Sequence, residues 1–373
     1  MRKIVVISIL GFVGMFAFPS VAAEPVKIAA IFAETGISAV QNASYIQMIE
    51  LAVEELNSQG GVLGRPLKLI VLDNQSTPIG SALAAKEAVQ LQVAAVIGSG
   101  LSSHSLAVAP ILQEEGIPMI TPVSTNPKVT HIGNYIFRVC FIDSFQGAAM
   151  AKFAYDDLGA QTAVILRNID EAYCVTLAEY FINAFKQIGG KVLLDGSYRK
   201  KAVDFSELLK ETAKLGPDVV YVPGYKRDSG LIIKQAASLG VKATFLGGDA
   251  WTDIYKYGGQ AVEGSYHSAP WHLDVQFEKN FHLQNIYEKK HQKKITNTSA
   301  PLSYDAVMVL ADAIQRAGTF ERAKIRDALA QTKAFQGATG NITFDEYGDP
   351  QGKEVIILKL AQGRQIYYKA IKP

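Results

Sequence analysis

The 373-residue chain is 49% hydrophobic and carries 37 Lys and Arg against 35 Asp and Glu. That composition excludes a disordered polymer, and the balanced charge gives no electrostatic case for nucleic acid or an anionic membrane as partner. Two cysteines, Cys140 and Cys174, and six scattered histidines match no zinc-ligand spacing, so no metal site and no other cofactor is expected.

The chain opens on a leader-like segment. Arg2 and Lys3 precede an apolar run from Ile4 to Phe18, and Pro19-Ser20 breaks it before Val21-Ala22-Ala23, a small-residue cleavage site. The run is short for a membrane span, which needs ~20 residues, so cleavage after Ala23 and export of a soluble chain are expected. Residue 24 is Glu rather than Cys, so a lipid-anchored N-terminus has no support. The chain beyond the leader is long enough for two domains of ~100–200 residues each.

From Glu24 onward, short apolar runs alternate with amphipathic stretches. Val26–Phe32, Leu67–Asp73, Ala94–Ser99 and Met119–Val123 read as strands, with helices over Ser44–Asn57 and Ser81–Leu91. Such alternation predicts an α/β fold in which helices cover both faces of a parallel sheet. The pattern repeats with strands at Ala163–Leu166, Val192–Leu194, Val219–Val222 and Thr244–Gly247, and helices at Cys174–Gln187, Phe205–Leu215 and Ser229–Leu239. Two sequential units predict two lobes. The tail departs from this pattern: helix-like Val275–His291, Leu302–Ala317 and Ile325–Gln331 precede an extended Asn341–Phe344. A final pair of strands, Val355–Leu360 and Gln365–Ala370, turns at Gln362-Gly363. No Pro/Gly-rich linker or charge block separates the units, which favours several short crossings between interleaved lobes over one tether.

The common catalytic motifs are absent: there is no Gly-x-Ser-x-Gly elbow, phosphate-binding Gly-x-x-x-x-Gly-Lys loop or His-Glu-x-x-His helix. Gly98-Ser99-Gly100 begins like a dinucleotide fingerprint and lacks its third glycine. No catalytic residue is assigned, and the chain is not expected to be an enzyme.

The strand ends carry more chemistry. After Gly98-Ser99-Gly100-Leu101, Ser102 and Ser103 stand where the next helix would begin. Its unpaired N–H groups and dipole favour an anion such as a ligand carboxylate; the alternative is that Ser102 simply caps the helix. A second strand ends at Thr121-Pro122-Val123-Ser124-Thr125-Asn126-Pro127, where the two prolines hold the preceding residues out of helical geometry. Ligands of open α/β sheets bind at that end, so Val123 offers a carbonyl and Thr125 a hydroxyl, unless this is an ordinary polar turn. Asp249 follows Phe245-Leu246-Gly247-Gly248 at another strand mouth, where a carboxylate is either solvated or faces a cation. Leu101 and Ser124 flank these positions, and Trp251 would wall a pocket or cover a lobe edge.

Together with the Gly60-Gly61-x-x-Gly64-Arg65 turn, Phe137-Arg138-Val139, Gln146-Gly147, Pro223-Gly224-Tyr225 and Thr343-Phe344-Asp345 followed by Gly348, these motifs form an ordered set along the chain. The set resembles the leucine/isoleucine/valine-binding protein family, the type I periplasmic solute-binding proteins of ABC amino-acid importers. The resemblance implies two Rossmann-like lobes with a ligand cleft between them, joined by three crossovers near Asp143, Ser268 and Tyr347. Lobe one would hold residues 24–143 and 269–347, and lobe two 144–268 and 348–373. It further implies a small-molecule ligand, an amino acid or close analogue, a membrane permease as partner, a monomeric state, and a periplasmic location.

By the same resemblance Ser102 and Thr125, with the backbone of Val123, grip the ligand's α-carboxylate and α-amino groups, and Tyr173, Tyr225 and Asp249 approach from the second lobe. Asp249 stands where the branched-chain binder has Glu, shorter by about one methylene. Ser76 and Leu101 replace the family's bridged cysteines, and Cys140 and Cys174 are expected as free thiols, a bridge between them being the alternative. An aromatic contact is replaced near Gln41 and a pocket phenylalanine near Ser299, changes that argue against leucine itself. The rival to an importer component is a ligand-sensing receptor for small amides or aromatic acids that feeds a signalling partner.

Overall fold

The computed structural model describes residues 24–372; the expected leader, residues 1–23, lies outside the described residues. Strand β1 (Val26–Phe32) is buried at every position except Lys27, the pattern of a strand covered on both faces. It pairs in parallel with β2 (Leu67–Asp73) and β3 (Ala95–Gly98), and β4 (Met119–Thr121) and β5 (Ile136–Arg138) extend the sheet in the order β2-β1-β3-β4-β5. The crossover helices are α1 (Ala39–Ser58), α2 (Pro78–Gln90) and α3 (Ser102–Glu114).

The second unit runs through α4 (Asp143–Lys152), β6 (Thr162–Asn168), α5 (Ala172–Gln187), β7 (Lys191–Tyr198) and α6 (Ser206–Leu215). It continues through β8 (Val219–Val222), α7 (Lys226–Ser238), β9 (Thr244–Gly247), the single turn α8 (Tyr255–Gly258) and β10 (Tyr266–Ala269). The chain then returns to the first sheet with α9 (Glu278–His291), α10 (Pro301–Ala317) and α11 (Arg322–Ala330). Leu283, Leu310 and Ile314 from these helices share one core with Ile28 and Tyr45. A small hairpin, β11 (Phe335–Gly337) and β12 (Gly340–Ile342), comes next.

The last hairpin, β13 (Val355–Ala361) and β14 (Arg364–Ile371), joins the second sheet antiparallel to β10, giving the order β14-β13-β10-β9-β8-β6-β7. Its two-residue turn is Gln362-Gly363, as the sequence suggests, with φ of 56° and 71°. Positive φ at both central residues is the type I′ geometry that matches strand twist. The chain thus passes between the sheets three times: from β5 to α4, from β10 to α9, and from β12 to β13. The result is an α/β fold of two lobes, each built on a mainly parallel sheet.

Five elements escape the sequence reading: β5, α4, α8, β10 and β11. β5 spans three residues, too few to show a period, and α4 opens on the mixed run Asp143-Ser144-Phe145-Gln146. β10 is wholly buried yet contains His267 and Ser268. β7 extends well past Val192–Leu194 because it is an edge strand with alternating exposure. Cys140 and Cys174 are free and buried, one in the core of each lobe.

Candidate functional site

The loops at the carboxyl ends of the parallel strands meet between the lobes, the position where open α/β sheets hold ligands. From the first lobe, Gln41 and Tyr45 of α1, Gly100, Leu101 and Ser102 after β3, Val123 after β4, and Ser299 line one narrow cavity. Tyr173, Tyr225, Asp249 and Ala250 close it from the second lobe. Its volume is about 20 Å³, room for one water-sized sphere.

Leu101, with extended backbone (φ −136°, ψ 146°), occupies the N-cap position of α3, and its side chain makes no capping hydrogen bond. Ser102 is therefore the first helical residue rather than the cap. Its Oγ accepts instead from the Asn126 N–H at 3.4 Å, joining the helix start to the loop after β4. The N–H groups of Ser102 and Ser103 make no hydrogen bond among the described residues. Two donors and the positive end of the dipole are thus available where Ser102 lines the cavity.

Thr125 is 1% exposed and its hydroxyl has no partner among the described residues, while its carbonyl accepts from the Asp143 N–H at 2.9 Å. Neither Thr125 nor Ser124 lines the cavity; Thr125 lies buried behind Val123, which does. The Ser124 side chain is engaged elsewhere. Its hydroxyl lies 2.7 Å from Ser105 Oγ and donates to the Ser99 carbonyl at 3.2 Å, beneath the loop. Arg138, fully buried and paired with Asp349 of the third crossing, anchors the same loop. Its guanidinium donates to the carbonyls of Ser124 (2.7 Å) and Asn126 (3.0 Å) and to Thr130 Oγ1 (2.7 Å).

Asp249 sits in the short helical turn after β9 and is 8% exposed. Its Oδ1 accepts from the Tyr173 hydroxyl and from Gln146 Nε2, both at 2.8 Å, and Oδ2 has no hydrogen bond among the described residues. Burial, opposed by the Tyr173 hydrogen bond, pushes its carboxyl up to about 6. Behind it lies Asp143, wholly buried with neither carboxyl oxygen bonded among the described residues; burial, opposed by the adjacent Thr125 hydroxyl, pushes it up to about 8. The Tyr173 and Tyr225 rings stand 5.5 Å apart on the second-lobe wall.

The lobes also touch outside the cavity. Ser103 Oγ donates to Glu171 Oε2 at 3.2 Å, Asn126 Nδ2 donates to Thr176 Oγ1 at 2.9 Å, and the Thr252 and Thr298 hydroxyls lie 3.2 Å apart. Ser103 is therefore a lobe-to-lobe contact rather than a cavity residue. Trp251 neither walls the pocket nor covers a lobe edge: it is fully buried in the core with Phe245, Ile254 and Val262. Gly247 makes the space, since a Cβ there would lie 2.0 Å from Trp251 Cε2.

Sequence reasoning missed Tyr45, Gln146 and Glu171 as individual contributors. Tyr45 carries a signal, since it follows Gln41 by four residues on one helix face and accepts from Gln41 Nε2 at 3.0 Å. Glu171, 3% exposed, pairs with Lys200, a partner no local pattern reveals. Among the described residues, no group of three His, Cys, Asp or Glu is placed to hold a metal, and no helix is long and apolar enough to cross a membrane.

Two lobes crossed three times by the chain, with polar groups from both converging on one internal cavity, define a two-lobed solute-binding protein. Residues 25–363 match the family model described as periplasmic binding protein. The leucine-, isoleucine-, valine-, threonine- and alanine-binding protein of Pseudomonas aeruginosa is 31% identical over 337 residues, 90% of this chain and 89% of that one. A leucine-binding protein from Thermotoga maritima superposes with a TM-score of 0.87 at 38% identity, covering 93% of this chain and 99% of its own. The branched-chain amino acid substrate-binding protein of Streptococcus pneumoniae, in complex with isoleucine, gives 0.88 at 27% identity, covering 94% and 100%. The chain belongs to the leucine/isoleucine/valine-binding protein family of periplasmic binding proteins. Its relatives are named as amino-acid-binding proteins and as a transporter's substrate-binding protein.

Proposed function

We propose that the chain captures an α-amino acid or close analogue between its lobes and delivers it to the membrane permease of an ABC importer. One observation carries this reading: the cavity sets Asp249, with Oδ2 unbonded among the described residues, opposite the start of α3. A zwitterion needs both, a carboxylate for its ammonium group and N–H donors for its carboxylate. In this reading Ser102, Thr125 and the Val123 backbone hold the amino-acid head from lobe one, and Tyr173, Tyr225 and Asp249 close on it from lobe two. Leu101 completes the wall. The names of the relatives, binders of leucine, isoleucine and other amino acids, support the same class.

A cavity of about 20 Å³ is smaller than any amino acid, so the ligand enters when the lobes part. The lobe contacts named outside it are polar hydrogen bonds, worth ~0.5–1.5 kcal/mol net each and ~1.5–3 kcal/mol where the Glu171 carboxylate accepts, weak enough to separate. Lobe boundaries near Asp143, Ser268 and Tyr347 place the hinges at the three crossings, and ligand bound to one lobe shifts the population toward the closed form. Micromolar affinity corresponds to about −8 kcal/mol, within reach of several charge-assisted hydrogen bonds after ordering costs. We place the protein in the periplasm as a monomer cleaved after Ala23.

Native mass spectrometry of the exported protein tests the reading. A released species with the mass of an amino acid or close analogue, recovered unchanged after incubation, is expected. Failure of unfolded and refolded protein to bind any member of an amino-acid panel overturns it.

A further inference from the structure

Beside the cavity, and sharing Gln41 with it, lies a second concavity of about 780 Å³ between the lobes. Its lining holds four cationic side chains, Lys226, Lys256, Lys294 and Arg364, against one carboxylate, Asp253, which lies 3.5 Å from Lys226. Trp271 and Ile295, both buried, give it an apolar floor. The partition between the two spaces is slight. Gln41 stands on one side, held to Tyr45 by a single hydrogen bond, and on the other the neighbours Thr298 and Ser299 line the groove and the cavity respectively. A Gln side chain turns aside by rotation about its own bonds, and the Thr252–Thr298 contact across the lobes, a single hydroxyl hydrogen bond, parts when the lobes open.

A volume of 780 Å³ lies within the ~300–1,000 Å³ of small-molecule sites, and a branched-chain side chain would leave most of it unused. An excess of cations over an apolar floor suits an aliphatic chain ending in a carboxylate. We propose that this groove is the side-chain subsite, and that the ligand class is an α-amino acid whose elongated side chain passes Gln41 and ends in an anion. This rests on the amino-acid reading of the adjoining cavity for the head group.

Calorimetry with leucine, γ-glutamylglycine and γ-glutamylglycinamide tests the proposal on the wild type and on the Lys294→Ala/Arg364→Ala variant. Both substituted residues are exposed, and thermal unfolding of the unliganded variant checks its fold. The acid is expected to bind at least tenfold more tightly than its amide. The variant, which keeps Lys226 and Lys256, should lower that ratio at least threefold through loss of affinity for the acid. Equal affinity for acid and amide in the wild type, or binding of leucine but of neither peptide, overturns the subsite and leaves the amino-acid reading standing. Binding of none of the three, by protein freed of bound solute, removes that reading and the subsite with it.

Discussion

Replacing Arg138 with Met keeps much of the side-chain volume and deletes a buried charge that ties the loop after β4 to the third crossing. Arg138 is fully buried, and its partner Asp349 is 4% exposed. Removing one member of a buried pair costs about 3–5 kcal/mol, because the other is left uncompensated. Asp349 retains the Thr130 hydroxyl at 2.9 Å, which points to the lower end, about 3 kcal/mol. Against a typical total of ~5–15 kcal/mol that is a large loss in a protein that still folds. Urea unfolding followed by circular dichroism reads it as a lower midpoint at unchanged slope. Asp349→Asn and the double variant complete a cycle, with an expected coupling of ~1–3 kcal/mol. A loss below about 1 kcal/mol, or strictly additive variants, refutes the view that this pair anchors the loop.

Asp143 prefers its neutral form in the folded chain, so its contribution is complete below the unfolded value of ~3.9 and is lost as pH rises toward about 8. Asp143→Asn should therefore raise the melting temperature relative to wild type at pH 8 more than at pH 5, and the opposite ordering contradicts the burial argument. At Gly248 an added Cβ would lie 2.1 Å from the Tyr173 hydroxyl, while φ of −90° leaves the backbone unstrained. Gly248→Ala is expected to displace that hydroxyl from Asp249 and weaken ligand binding at least tenfold; unchanged affinity in calorimetry would show that the Tyr173 bond is dispensable. Ser102→Ala and Thr125→Ala should each weaken binding by ~1.5–3 kcal/mol, the range for hydrogen bonds to charged groups. Because Ser102 is not the helix cap, neither change should lower the unliganded melting temperature by more than a few degrees.

Much of the fold is legible because its strands are short apolar runs bounded by glycine, proline or polar turns. The strand mouths at Gly98–Ser102, Thr121–Pro127 and Gly248-Asp249 stand out for the same reason: polar residues come directly after a buried run. The features that stay hidden depend on distant partners. His267 is tolerated inside β10 because Nδ1 lies 2.9 Å from the Ser268 carbonyl and Nε2 lies 3.0 Å from Gln365, on a strand far along the chain. Its burial holds the imidazole down to about 4, so it stays neutral. Ser124 looks as exposed as Thr125 in sequence, yet Ser99 and Ser105 claim its hydroxyl. Trp251 looks like a pocket wall until Gly247 is seen to admit its ring into the core. The roles of Gln146 and Glu171 arise from contacts to Asp249 and Ser103 that only folding creates.

Titration calorimetry of the identified ligand against wild type and Asp249→Asn addresses the account at its centre. The substitution preserves volume and removes the charge that faces the cavity. For an amino-acid ligand, an ammonium group left unpaired in the cleft should cost about 3–5 kcal/mol, or two to four orders of magnitude in affinity. Wild-type affinity should also fall below pH 6, as protonation of Asp249, whose carboxyl is pushed up to about 6, competes with the ammonium group. An amino acid that binds both forms equally, with no loss at low pH, would contradict the assignment of Asp249 as the ammonium partner.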